Sequence, residues 1–140
     1  MADTSAMKRA ERIAIELALG SGYAARKMRL TWGGEFAVDG ASEDGETIAC
    51  VSTAGNAKPG PLHKMRDDAS MLMHIAGAKR RGMIFTHRTL YDYMIAQRAA
   101  GRFYPESQIE LKLVTLPKEV EDEVVAARGR SSIEVSPHRA

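Results

Sequence analysis

Apolar positions at helical spacing open the chain. Met7, Ala10, Ala14 and Leu17 form one stripe, widened by Ile13 and Ala18, which predicts a helix from Thr4 or Ser5 to the break at Gly20-Ser21-Gly22. Glu11 falls at the edge of that stripe, where it looks toward a sheet, while Lys8, Arg9 and Arg12 lie on the solvated side. The period then changes. Tyr23 to Thr31 supplies a first strand with a basic side made by Arg26, Lys27 and Arg29. Phe36 and Val38 alternate with Glu35 and Ala37 in a half-buried strand, and Ile48 to Val51 reads as a short buried one. Asp39-Gly40 and Asp44-Gly45 read as turn dipeptides, which sets Asp39 near a strand end of a hairpin.

The stretch from Gly55 to Pro61 is expected to be a loop, because it is rich in residues that break both helix and strand. A second helix is predicted from Leu62 to Lys79, with Met65, Ala69, Leu72 and Ala76 inward and Lys79-Arg80-Arg81 at its C-terminal dipole. Met83 to Thr86 has the uniformly apolar pattern of a strand inside a parallel sheet. Thr89 with Asp92 starts a third helix, which runs to Gly101, and Ile109, Leu111 and Leu113 alternate in a last strand. Pro117 then opens a helix with Val120, Val124 and Ala127 on one face, and residues 128–140 are expected to be a flexible basic tail. The order predicts a single domain over residues 1–140, an α/β three-layer sandwich with a mixed central sheet.

Composition narrows the class. The chain has 140 residues, 44% of them hydrophobic, enough for one domain with a core. Twenty Lys and Arg against eighteen Asp and Glu leave a formal charge of only +2, which argues against wholesale electrostatic binding of nucleic acid but allows a local patch. The lone Cys50 excludes an internal disulfide, and no apolar run approaches the roughly 20 residues that span a bilayer. A cytoplasmic protein without a membrane partner is the expectation.

The element order, with Asp39 on the second strand, resembles the PD-(D/E)XK, or restriction-endonuclease-like, superfamily over roughly Ser5 to Leu116. The resemblance implies a nuclease core in which a strand-two Asp, a Glu or Asp and a Lys spaced E-x-K on strand three, and often a first-helix Glu bind Mg²⁺ or Mn²⁺ and activate water. Asp39 matches the strand-two Asp, and Glu11 the first-helix Glu. The third strand departs from the pattern: Cys50-Val51-Ser52-Thr53 falls where an active member reads Glu-Val-Lys-Thr. Cys50 is no hard-metal carboxylate, and Ser52 supplies no cation. Glu46 shares a face with Cys50 but lies about 13 Å along the strand, too far to replace it. Lys58 or Lys64 would have to reach back from the loop or the second helix.

Other constellations are weaker. His63 and His74 are about 16 Å apart along one helix, and no C-x-x-C or H-x-x-x-H pair exists, which disfavours zinc. Cys50 sits among Ile48, Ala49 and Val51, the setting of a buried structural thiol. Arg26, Lys27, Arg29, Lys58 and Lys64 are the candidate nucleic-acid contacts, with Trp32 or Tyr23 to add stacking. The preferred reading is a catalytically degenerate domain that binds nucleic acid or protein and needs no cofactor. The second is a metal-dependent nuclease with a relocated site, where Asp39 and Glu11 hold Mg²⁺ or Mn²⁺ and Lys64 or Lys58 supplies the cation. The third is a small structural or regulatory subunit that pairs with a protein partner or with itself.

Overall fold

A computed structural model describes residues 5–135, and side chains through residue 129. Helix α1 (Ser5–Leu19) is followed by strands β1 (Ala24–Arg29), β2 (Glu35–Ala41) and β3 (Thr47–Ser52). Then come α2 (Pro59–Met73), β4 (Arg80–Phe85), α3 (Arg88–Ala99), β5 (Glu110–Leu113) and α4 (Lys118–Val135). The strands form one sheet in the order β1-β2-β3-β4-β5, antiparallel over the first three and parallel over the last three. This is the α/β sandwich with a mixed sheet that the alternation of periods predicts.

β3 is central and apolar on both faces, as a strand covered from both sides must be. Ile48 and Cys50 face Met65, Ala69 and Leu72 of α2 and Leu90 and Met94 of α3. Ala49 and Val51 face Ala10, Ala14 and Ile15 of α1 and Val120 and Val124 of α4. The parallel strands β3, β4 and β5 are therefore joined by α2 and α3 on one layer, while the terminal helices close the other.

Several boundaries differ from the expectation. α2 begins at Pro59, inside the predicted loop, because prolines at the first turn of a helix lose no hydrogen bond. It ends at Met73 rather than Lys79; Ile75 bridges to Leu30, and Arg80 and Arg81 open β4. Arg81 still serves the helix end, donating to the Leu72 carbonyl at 2.7 Å from the neighbouring strand. α3 starts one residue earlier than Thr89, after His87, which makes no side-chain cap. On α1, Leu17 is 54% exposed, since it lies across the helix from the buried Ile15, two residues away. α4 runs through residue 128, where a flexible tail was expected, and Arg128 is half-buried against β3. Residues 136–140 of that expected tail lie outside the described residues.

Asp39-Gly40 is not a turn. Both residues lie inside β2, where three steps from Val38 to Ala41 oppose two from Arg26 to Ala24, so β2 carries one extra residue. Gly40 faces α1: a Cβ there would meet Ile15 Cδ1 at 2.6 Å and Cγ2 at 2.9 Å. The helix thus lies close on the strand only because residue 40 has no side chain. Gly40→Val is expected to destabilise the protein by about 1–3 kcal/mol, the usual cost of overpacking, read by urea denaturation. Gly82→Ala, whose Cβ would find Ala49 Cβ at 3.8 Å, should change little and serves as the control.

Candidate active site

The paired ladder between β2 and β3 stops at Gly40 and Ala49. One residue further, the side chain takes over from the main chain: the Val51 N–H donates to Asp39 Oδ2 at 2.7 Å. The extra residue in β2 re-aims Asp39 for this contact, a use to which bulges beside functional sites are often put. Glu11 arrives from α1. It is three residues before Ala14 and four before Ile15, so it shares the helix face that rests on the sheet.

The two carboxyl groups lie within electrostatic reach of each other. Burial, then the charge of Asp39, pushes Glu11 up to about 7, against the opposing pull of Lys64. Asp39 is also raised, again chiefly by burial, while the Val51 amide and Lys64 pull it back. A raised pair of this kind shares one proton because two charges so close and so desolvated repel.

α2 completes the site. Lys64 Nζ lies 2.9 Å from Asp68 Oδ2, one turn along the helix. Asp68 is largely buried and Lys64 reaches into solvent, with side-chain exposures of 16% and 73%. Burial alone would lower Lys64, but the Asp68 hydrogen bond and the charges of Asp68 and Asp39 outweigh it and raise the ammonium. Glu11, Lys64 and Asp68 line a cleft of about 510 Å³, together with Thr53, Asn56 and Arg128. Arg128, on α4, donates to the Thr53 carbonyl at 2.5 Å and to its Oγ1 at 2.7 Å; its burial holds the guanidinium below its usual value. Lys64 thus acts on both carboxyl groups, whereas Arg128 is held by Thr53.

Of the residues singled out from sequence, Glu11 and Lys64 line the cleft, and Asp39 lies outside its lining but within electrostatic reach of both. Lys58 stands at the start of α2 and does not line the cleft. Arg26, Lys27 and Arg29 lie on edge strand β1, around a separate depression with Asp44 and Gly77, and Arg26 is occupied by the Ser42 and Glu43 carbonyls. Trp32 lies against His74 with the rings tilted by 42° and centroids 4.6 Å apart. Cys50 is buried and its thiol is held well above the usual range, first by burial and then by Asp39, so it is no nucleophile. Sequence reasoning missed Asp68 and Arg128. The signal for Asp68 was present: an i, i+4 partner of Lys64 on the helix that follows the deficient strand.

The donor set suits a hard divalent ion bound openly. Among the described residues no three His, Cys, Asp or Glu side chains converge into a closed cage, Asp68 being turned to Lys64. Mg²⁺ commonly uses only one or two carboxylates and completes its shell with water and substrate phosphate. Glu11 and Asp39 are the two neighbouring carboxylates that would serve such an ion.

The electrostatics predict a pH dependence of stability. Glu11 titrates at about 7 in the folded protein against an ordinary 4.5, so between those values the folded state binds more protons than the unfolded. Stability must then fall as pH rises through that window. Glu11→Gln removes the liability: its melting temperature should exceed that of the wild type at about pH 8 and match it at about pH 4. Parallel melting curves at every pH would mean that Glu11 is not in a desolvated pair.

No family model, curated protein or solved structure matches the chain. The functional reading therefore stands on the geometry of the cleft.

Proposed function

We propose that the cleft hydrolyses phosphodiester bonds of nucleic acid with Mg²⁺ or Mn²⁺ held by Glu11 and Asp39. The observation that carries this reading is the meeting of Glu11 from α1 with the Lys64–Asp68 pair from α2 in one cleft, with Asp39 of β2 close enough to shift Glu11. The resemblance to the PD-(D/E)XK superfamily supplies the reaction class. α2 offers the cation that β3 lacks, Lys64 in place of Ser52, and Asp68 holds that ammonium in position. Chemistry depends on where such groups meet and not on which element carries them.

When bound, the ion supplies charge neutralisation at the phosphate and a more acidic water. The side chains do the rest. Glu11 and Asp39, once relieved of their shared proton, present hard oxygen donors. Lys64 stays charged across the working range because Asp68 raises it, so it acts as an electrostatic clamp on a phosphate oxygen and not as a base. Arg128 lines the same cleft and adds positive charge there, with one guanidinium nitrogen held by Thr53. Hydrolysis adds water across one P–O bond and yields a phosphomonoester and an alcohol.

A binding module without turnover is the second reading, favoured by Cys50 and Ser52 on β3. Labelled single- and double-stranded DNA and RNA, incubated with Mg²⁺, Mn²⁺ or EDTA, separate the two. The expected result is metal-dependent cleavage that falls about 100-fold or more in Asp39→Asn and in Lys64→Met, the loss typical of a removed electrostatic contact. Cleavage should also rise with pH through the Glu11 transition near 7, as the proton competing with the ion is lost. Salt-sensitive binding with no cleavage under any condition would establish the second reading instead.

A further inference from the structure

Lys64 and Arg66 are two residues apart and therefore leave α2 on opposite flanks. The Lys64 flank faces the cleft. The Arg66 flank borders a second, shallower pocket of about 500 Å³, closed by Gly101, Arg102, Phe103 and Tyr104. This pocket is built rather than incidental. Gly101, at φ +75°, turns the chain out of α3, and the Arg102 N–H closes the turn on the Gln97 carbonyl at 2.8 Å. Arg98 donates to the carbonyls of Tyr104 and Ile109, fixing the loop, and its guanidinium lies 5.9 Å over the Phe103 ring. Phe103 and Tyr104 meet edge to face, 5.3 Å apart at 82°, and form a rigid aromatic corner.

The two exposed guanidiniums at its rim are unspent. Arg66 has one long contact, 3.5 Å to Gln97 Oε1, and neither Arg66 nor Arg102 has an ion-pair partner among the described residues. Two free cations beside a fixed aromatic corner call for a ligand that is both anionic and planar. A nucleotide has that chemistry.

We infer that this pocket holds one unstacked nucleotide of a single strand that crosses α2 with its scissile phosphate in the cleft. The inference rests on the nucleic-acid reading above and adds the substrate class: single-stranded or frayed nucleic acid. A helix with its side chains is about 10–12 Å across, a span that a few nucleotides of single strand bridge. A base in an intact duplex stays stacked and cannot enter the corner, so the pocket discriminates against duplex.

The test is binding in EDTA, where cleavage plays no part. Fluorescence anisotropy would follow a labelled oligothymidylate, the same strand with one abasic position moved stepwise along it, and a duplex of equal length. Single strand should bind at least about tenfold tighter than duplex, and one abasic position should cost about tenfold, within the range for a lost stacking contact. Phe103→Leu should erase the abasic effect. The surface variant Arg66→Gln with Arg102→Gln, which leaves the core untouched, should weaken binding and lower the salt slope by about 0.7 per lost phosphate contact. A flat abasic scan, or binding unchanged in the double Arg variant, overturns the inference while leaving cleavage in Mg²⁺ to stand. Absence of cleavage with the abasic effect intact sinks the nuclease reading alone. No binding of any strand at low salt overturns the inference.

Discussion

The contact of α1 with the bulged segment of β2 is the constraint on which the site depends. Ile15 lies against Gly40, and one turn earlier on the helix Glu11 lies against Asp39, one residue earlier on the strand. The two contacts are a single geometric fact. A side chain at residue 40 would lift the helix and part the carboxylates. The extra residue in β2 turns Gly40 toward α1 and frees Asp39 from the ladder, and the Val51 amide then fixes the carboxylate that the bulge released. Packing and chemistry share the same few atoms there.

Electrostatics turn that packing into a poised site. Partial burial raises the proton affinity of both carboxyl groups, and the charge of Asp39 raises Glu11 further, a cost that a proton or a cation relieves. The neighbouring Lys64 does not neutralise the pair, because its nearest partner is Asp68 at 2.9 Å. A second acid on α2 thus keeps the ammonium in place and leaves the Glu11–Asp39 oxygens to a small hard ion. The arrangement costs stability above neutral pH. An interior chosen for stability alone would carry an apolar pair at these positions.

Much of the architecture was legible because it follows from period. Strands and helices announce themselves by alternation or by a stripe, and β3 and β4 by continuous apolar character. What failed was punctuation. Asp-Gly reads as a turn by composition, yet a strand that must bulge under a close helix wants the same two residues. Pro59 and Pro61 read as loop, but the first turn of a helix tolerates them. Lys79-Arg80-Arg81 fits a helix C-terminus, but Gly77, at φ +79°, ends the turn after α2 and leaves Arg80 to pair with Glu110 from the strand. Leu17 was placed inward on spacing alone, without knowing that Ile15 set the buried face.

The site was half legible for a related reason. Asp39 and Glu11 are found by the elements they occupy, since strand and helix order carry them. Asp68 and Arg128 are found only by folding. A motif search asks for a carboxylate and a cation on β3, and β3 offers Cys50, which is buried, and Ser52, which lines the cleft but carries no charge. α2 leaves the end of β3 and folds back along it, so a residue in its second turn returns to the level of the strand end. Lys64 and Asp68 lie there one turn apart on the flank toward α1, and the inward Met65, Ala69 and Leu72 determine which flank that is. The same three residues turn Arg66 to the other side. One helix therefore supplies both the cation that β3 lacks and a cation of the aromatic pocket, because burying its apolar face leaves two flanks and each adjoins a different cavity.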